Sequence, residues 1–142
     1  MKDQGLTPHG PGFRFVDRFE RTGPAHGSGW KFLQGTEAFF ADHFPGNPLM
    51  PAVLLVECAA QTAGVLMMDG REEGNSPLFL ASIDQFRIIA PVFPGDTILT
   101  RITLLKDFDP LVKCDAECFV SEKLVARGRL VLSRQLTKQD VL

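Results

Sequence analysis

The feature that most constrains the fold is an apolar run in the middle of the chain, at residues 52–68. Pro51 precedes the run, and proline suits the first position of a helix because its missing N–H has no partner there anyway. A helix over this run would be about 25 Å long. Because the run is apolar nearly all round, we expect the helix to be buried nearly all round. The run is shorter than the roughly 20 residues of a membrane span, and Glu57 and Gln61 interrupt it, so we expect no membrane association.

Segments of alternating or continuous apolar residues on both sides of the run predict β-strands. We predict strands at 13–22, 30–35, 78–89, 98–108, 111–120 and 124–136, with a bend at Asp84 in the third of them. A glycine-rich turn or loop is predicted at 23–29 and a polar loop at 70–77. The strands after the helix follow one another through turns, which favours antiparallel pairing. Only the helix is apolar enough to cover such a sheet. The sequence therefore predicts an α+β fold in which a curved antiparallel sheet of five to six strands wraps around one long buried helix.

Size and composition indicate one globular domain over residues 1–142, with residues 1–7 and 135–142 expected to be flexible. Hydrophobic residues make up 44% of the chain, which is enough for a core. The net charge of −2 and the lack of a basic stripe argue against a nucleic-acid partner. Because no secretory or lipidation signal is present, we expect a cytoplasmic protein.

The three cysteines do not indicate a disulfide framework or a metal site. Cys58 lies in the apolar run, and Cys114 and Cys118 lie four apart in a predicted strand, so they share one face of it. Their spacing fits none of the common zinc patterns. We therefore predict three reduced, mostly buried thiols and no bound metal.

Two polar side chains stand out in the predicted helix. Glu57 and Gln61 are four residues apart and share one helix stripe, which Gly64 continues while leaving space beside it. An unpaired buried carboxylate is very costly, so Glu57 must be neutral, paired or in a wet pocket. A buried carboxyl group that keeps its proton near neutral pH suits a general acid. A structural glutamate, held by a backbone donor or by a second subunit, is equally consistent with the helix alone.

The loop before the helix carries a candidate base, His43. Three prolines and a glycine surround it, so a stiff loop would hold the ring in place. A lone histidine is more often structural, and we assign no catalytic role to His9 and His26, which lie in glycine-rich segments. The first N–H groups of a helix have no internal partner and favour a carbonyl oxygen that gains negative charge. A base, an acid and such an oxyanion site are the parts needed to remove a proton next to a carbonyl and expel a neighbouring hydroxyl.

These residues also carry a resemblance to a known family. The segment HFPGNPLMPAVLLVECAAQTAG, at residues 43–64, closely resembles the signature of the 3-hydroxyacyl-acyl-carrier-protein dehydratases of type II fatty acid synthesis, which are hotdog-fold enzymes. Residues 8–19 look like the first strand of that family, and residues 79–98 look like its strand after the helix and the Pro-Gly-Asp turn. The resemblance covers roughly residues 8–133.

The resemblance implies a catalytic assignment. His43 would take the α-proton of a (3R)-3-hydroxyacyl thioester on acyl carrier protein, and Glu57 would protonate the departing hydroxyl to leave a trans-2-enoyl thioester. The backbone N–H of Ala52 would bind the thioester carbonyl, and Gln61 would support Glu57. No cofactor and no metal are implied. Glutamate rather than aspartate at position 57 favours dehydration without isomerisation.

The resemblance also implies an assembly and an acyl pocket. Two identical chains would pair, each active site taking His43 from one chain and Glu57 from the other, and trimers of such dimers are common among close relatives. Packing around Gly64, Phe79 and Phe86 would set the depth of the acyl pocket. The chain has no tyrosine, so Phe79 or Phe86 is the candidate gate residue.

The chain departs from the family pattern at three places. Ala52 replaces a frequent glycine and adds a methyl group near the thioester, and Gly10 stands where an arginine is common. The stretch before the second Pro-Gly turn is frequently basic in the family, but here residues 87–92 keep only Arg87 as a cation. The positively charged patch that would steer an acidic carrier protein is therefore smaller. Four other cations are candidates to compensate: Arg14, Arg18, Lys31 and Arg101. An acyl thioesterase of the same fold and a non-catalytic hotdog scaffold subunit are the alternative functions.

Overall fold

The computed structural model describes residues 6–68 and 78–135, which form one long helix, two short helices and six strands. The elements are a short 3₁₀ helix (Pro11–Phe13), β1 (Arg18–Gly23), β2 (His26–Phe32), α1 (Ala38–Asp42), α2 (Val53–Met68), β3 (Phe79–Ile88), β4 (Thr97–Phe108), β5 (Leu111–Val120) and β6 (Lys123–Ser133). The predicted loop at 70–77 and most of the termini expected to be flexible lie outside the described residues. Thr7, at the start of the described part, is buried.

The six strands form a single sheet in the order β1-β2-β4-β5-β6-β3, and every neighbouring pair is antiparallel. Helix α2 contacts strands across this sheet, from β1 and β2 through β4 and β5 to β6. The sheet therefore curves around the helix. This arrangement confirms the predicted α+β architecture, a hotdog fold with six strands.

The core lies between α2 and the inner face of the sheet. Around the first half of the helix, Leu55 and Cys58 belong to one apolar cluster with Ile98 of β4 and Cys118 of β5. Around the second half, a further cluster contains Ala63, Leu66, Ile102, Cys114 and Leu130. Burial of these side chains is the main favourable term in folding, at about 25 cal/mol for each Å² of apolar surface removed from water.

The three thiols are free and buried, as predicted. Desolvation of the thiolate raises the pKa of Cys114 to about 12 and that of Cys118 to about 11. Burial also raises the pKa of Cys58 well above its ordinary value. All three thiols are therefore neutral near pH 7 and act as apolar core groups.

The predicted glycine-rich turn at 23–29 is wrong in its extent. The turn occupies only residues 24–25, and β2 already begins at His26. Gly27 and Gly29 lie in β2 under the helix, where a Cβ on Gly29 would come within 2.6 Å of Thr62 Oγ1. These glycines let the helix approach the strand closely, which is a second reason for glycine in a sequence besides turn formation.

The first strand also begins later than predicted. Residues 13–17 precede β1, which starts at Arg18. The N–H of Phe15 donates to Gln61 Oε1 at 2.8 Å, so this segment is tied to the side chain of a helix residue. A contact between residues so far apart in sequence leaves no trace in local periodicity.

One stripe of α2 is less buried than the sequence predicts. Val53 is 72% exposed, and Val56, Glu57, Ala60 and Gly64 along the same side are only half-buried. Strand β3, at the edge of the sheet, likewise exposes large apolar side chains: Leu80, Ile83 and Ile88. The expectation of burial nearly all round does not hold for the single chain, because the sheet covers the helix on its other sides. No helix in the described ranges has both the length and the apolar character to cross a membrane.

Candidate active site

His43 is held at the junction between α1 and a tight turn. It closes the C-terminal end of α1, where its backbone N–H donates to Phe39 O at 2.9 Å. The next residues form a turn in which Asn47 N–H donates to Phe44 O at 2.9 Å, and Gly46 has a φ of +79°. Proline followed by glycine at the two central positions is typical of a type II turn, which requires a positive φ at the second. The residues around His43 therefore have few alternative conformations.

The ring of His43 is fixed in one tautomer. Its Nδ1 lies 3.1 Å from the carbonyl oxygen of Leu49. Because a carbonyl can only accept a hydrogen bond, Nδ1 must carry the hydrogen, and Nε2 of the neutral ring keeps its lone pair. The ring packs on Phe44, with 4.2 Å between ring centroids. His43 is exposed in the single chain, so Nε2 is available as a base.

The start of α2 places a backbone donor in the same cleft as His43. Leu54 and Leu55 donate their N–H groups to the carbonyls of Pro51 and Ala52, which closes the first turn. The N–H of Ala52 itself has no acceptor among the residues that the structure describes. His43 and Ala52 line one cleft. The rest of its wall is apolar and includes Phe44, Val53, Leu55, Ile88, Ile89 and Val92.

Glu57 is oriented by Gln61, one helical turn further along α2. Gln61 Nε2 donates to Glu57 Oε2 at 2.7 Å and to Phe13 O at 2.9 Å, while its Oε1 accepts the N–H of Phe15 at 2.8 Å. Exchanging the amide oxygen and nitrogen of Gln61 would bring two donors or two acceptors together at each of the three contacts, so the orientation of the amide is determined. Gln61 is 3% exposed. The buried amide thus fixes one oxygen of Glu57 as a hydrogen-bond acceptor.

Glu57 lines a second pocket, different from the cleft of His43. This pocket lies over the half-buried stripe of α2 and includes Gln61 and Gly64. A Cβ on Gly64 would meet nothing within 4 Å, so the predicted open space is present. The remaining lining residues are mostly apolar and include Leu6, Pro8, Val65, Met68, Leu78 and Leu80. In the single chain, the side chain of Glu57 is 26% exposed, so it is less buried than the general acid considered from the sequence.

The two phenylalanines proposed as gate residues lie elsewhere. Phe86 packs on Gly128 of β6, where a Cβ would come within 2.4 Å of the ring, and it contacts both apolar clusters. Phe79 starts β3 between Leu78 and Leu80, which line the pocket of Glu57. The single chain therefore gives the lining role to the two leucines.

His9 is a polar residue of this pocket to which the sequence interpretation assigned no role. Its Nε2 lies 3.9 Å from Glu57 Oε2, and it lines the pocket together with Thr7 and Pro8. Flanking prolines were the signal that marked His43, and His9 has the same signal, with Pro8 before it and Pro11 after it. No role was assigned to His9 because the glycines of this segment predict flexibility.

Three of the cations considered for carrier docking lie on β1, β2 and β4, and the fourth, Arg14, donates to the carbonyl of His9. Arg18 stacks on Trp30, with 4.1 Å from its guanidinium carbon to the ring, and Arg101 stacks on Phe119 at 4.9 Å. Lys31 is 3.4 Å from the carboxylate of Asp17. Among the described residues no group of three or more His, Cys, Asp or Glu side chains is arranged to hold a metal ion.

Comparisons with known proteins place this geometry in a family. The backbone resembles that of a dehydratase heterocomplex, ApeI:P from Xenorhabdus doucetiae, with a TM-score of 0.79 over 96% of this chain and 91% of that one, at 16% identity. That similarity supports the hotdog fold. The family model for the FabA-like domain matches residues 7–129, and the chain belongs to this family.

Two curated relatives of the chain carry the same name. It is 37% identical to the 3-hydroxyacyl-[acyl-carrier-protein] dehydratase FabZ of Syntrophobacter fumaroxidans, over 98% of this chain and 95% of the relative. It is 40% identical to the enzyme of that name from Caulobacter vibrioides, over 85% of this chain and 78% of the relative. The resemblance inferred from residues 43–64 is therefore confirmed at the level of the family.

Proposed function

We propose that this protein is a 3-hydroxyacyl-[acyl-carrier-protein] dehydratase of fatty acid biosynthesis or a related pathway. It converts (3R)-3-hydroxyacyl thioesters on acyl carrier protein into trans-2-enoyl thioesters. The observation that carries the proposal is the cleft that His43 and Ala52 share: Nδ1 of His43 is held by Leu49 O, which leaves Nε2 as a base, and the N–H of Ala52 has no acceptor among the described residues. The curated relatives with this activity in their names support the same reaction.

The proposed reaction has two proton transfers. His43 Nε2 takes the α-proton, and the electron pair of that C–H bond moves toward the thioester carbonyl, whose oxygen gains negative charge beside the N–H of Ala52. The electrons return as the C–O bond at the neighbouring carbon breaks. Glu57 gives its proton to the departing hydroxyl, and water leaves. His43 then holds an extra proton and Glu57 a negative charge, so a return of the proton to Glu57 resets the site.

The partners we propose are acyl carrier protein and a second copy of the chain. His43 and Glu57 line separate pockets, so one chain does not bring base and acid together. The half-buried stripe of α2 and the apolar edge strand β3 lie in the region of the Glu57 pocket and suit a second copy. Each active site would then combine His43 of one copy with Glu57 of the other.

A cytoplasmic location fits the same proposal. The three cysteines are free and buried, and unpaired cysteines are typical of a reducing compartment.

The test is a hydration assay in the reverse direction. Trans-2-enoyl thioesters of several chain lengths, on coenzyme A and on acyl carrier protein, should lose their ultraviolet absorbance when the protein is added. His43→Ala and Glu57→Gln should each reduce the rate by a factor of about 10² to 10⁴. Full activity in either variant would refute the assignment, and release of free thiol from acyl thioesters without hydration would indicate a thioesterase instead.

A further inference from the structure

His9 lies against the proposed acid in a way that the reaction scheme has not used. Its Nε2 is 3.9 Å from Glu57 Oε2, the same oxygen that accepts the hydrogen bond from Gln61 at 2.7 Å. A distance of 3.9 Å is about 1 Å longer than a hydrogen bond. Contacts in free enzymes are often long and shorten when substrate binds. The geometry thus presents two nitrogen groups to one carboxyl oxygen.

The main chain of His9 is anchored on both sides. Its N–H donates to Thr7 Oγ1 at 3.4 Å, and its carbonyl accepts a hydrogen bond from Arg14 Nη2 at 3.2 Å. Thr7 is only 4% exposed. The ring lies 6.0 Å from that of Phe13, whose carbonyl is bound by Gln61. The segment around His9 is therefore docked on α2 at the level of Glu57.

The surroundings of the ring select its tautomer. Nδ1 of His9 is buried and has no hydrogen-bond partner among the described residues. A buried N–H without an acceptor is rare in folded proteins, so the hydrogen of the neutral ring belongs on Nε2. Nε2 faces Glu57 Oε2. In this tautomer the N–H at Nε2 is directed to the carboxyl oxygen and would donate to it once the contact shortens.

We infer that His9 is a positioning residue, which acts with Gln61 as a pair of donors to Glu57 Oε2. With both donors on Oε2, the proton of the acid form sits on Oε1, which is the atom that gives it to the departing hydroxyl. As that O–H bond breaks, negative charge grows on the carboxyl group, and the two N–H groups stabilise it where it develops. This inference rests on the proposed function for Glu57. It extends that function to a residue on the N-terminal segment.

Two substitutions separate the loss of the hydrogen-bond donor from the loss of side-chain volume. His9→Ala removes the donor and should lower kcat by about 10- to 100-fold with little change in KM, the range for losing one hydrogen bond to a charged group. His9→Gln places an amide at the reach of Nε2 without a titratable ring and should stay within about threefold of wild type, since a neutral donor suffices. His26→Ala is the matched control, because His26 at the start of β2 bonds to Thr103 of β4 and its substitution should leave the rate unchanged.

Unchanged kcat in His9→Ala would overturn the inference, as would His9→Gln being as slow as His9→Ala while both keep the wild-type melting temperature. A direct measurement covers variants that fold poorly. Nitrogen-15 spectra of the histidine-labelled wild-type protein, which has three histidines, recorded at a pH where the rings are neutral, should show the hydrogen of His9 on Nε2, and Glu57→Gln should shift that signal. Hydrogen on Nδ1 would also overturn the inference. A wild-type protein inactive on every enoyl thioester would refute the proposed function, while the nitrogen spectra would still test the contact between His9 and Glu57.

Discussion

If each active site is shared between two chains, mixing two inactive variants must restore activity. In a dimer of one His43→Ala chain and one Glu57→Gln chain, one site would receive both substituted residues and the other would receive neither. A hybrid dimer should therefore have about half of the wild-type activity per dimer, since one of the two symmetric sites is intact. Each variant alone should keep at most about 1% of the rate, because acid–base groups contribute factors of 10² to 10⁴.

The assay needs pure hybrids and a reciprocal control. Two different affinity tags and successive purification steps isolate the hybrid, and the hydration of a trans-2-enoyl thioester measures its activity. The control hybrid pairs a wild-type chain with a chain that carries both His43→Ala and Glu57→Gln. Shared sites predict that this control is inactive, whereas sites within one chain predict that it keeps half of the activity and that the first hybrid is inactive. That reversed pair of results would refute the argument drawn from the separate pockets of His43 and Glu57.

Three further predictions concern the oxyanion site, the helix contact and the buried thiols. Ala52→Pro removes the proposed oxyanion donor at the start of α2 and should lower kcat in the hydration assay by about 10²- to 10³-fold. Ala52→Gly keeps the N–H and should stay active. Equal rates in the two variants would contradict the role of that N–H. Gly29→Ala sets a methyl group within 2.6 Å of Thr62 Oγ1 and should lower the melting temperature, and adding Thr62→Ala should recover most of the loss, as thermal denaturation can check. The pKa values of Cys114 and Cys118, about 12 and about 11 because of burial, exceed the roughly 8.5 of an unfolded thiol, so their stabilising contribution is complete below about pH 8 and is lost as the pH rises toward 11. In urea denaturation, the free energy of unfolding at pH 10 should be about 2 kcal/mol per thiol lower than at pH 8. The Cys114→Ala variant should lose less stability between the two pH values.

Local patterns predicted the elements whose residues are explained by their neighbours in sequence. The apolar run gave the long helix to within one residue, since α2 begins at Val53. The strand at 111–120 matches β5, and the predicted irregularity at Asp84 matches the register shift between Asp84 and Arg87. In each case the period of the apolar residues or the turn chemistry decides the structure.

The errors arose where a residue is selected by a distant contact. Gly27 and Gly29 serve the packing of α2 on β2, and periodicity cannot distinguish that need from a turn. The segment before β1 departs from a strand because Phe15 bonds to Gln61. The same Gln61 brings the N-terminal segment, and with it His9, to Glu57. The sequence indicated the spacing of Glu57 and Gln61 correctly, but the third member of that group became visible only in three dimensions.

Helix geometry gives a physical reason for the proposed sharing of the site. Ala52 precedes α2 and Glu57 lies in its second turn, five residues and about 7.5 Å further along the helix axis. A thioester bound at the N–H of Ala52 beside His43 therefore lies more than one helical turn away from the carboxyl of the same chain, which lines a different pocket. Gln61 holds that carboxyl in place by bonding it to the N-terminal segment, so Glu57 cannot simply swing around the helix. A carboxyl from a second copy, docked over the half-buried stripe, is the arrangement that lets both residues act while each keeps the contacts that orient it.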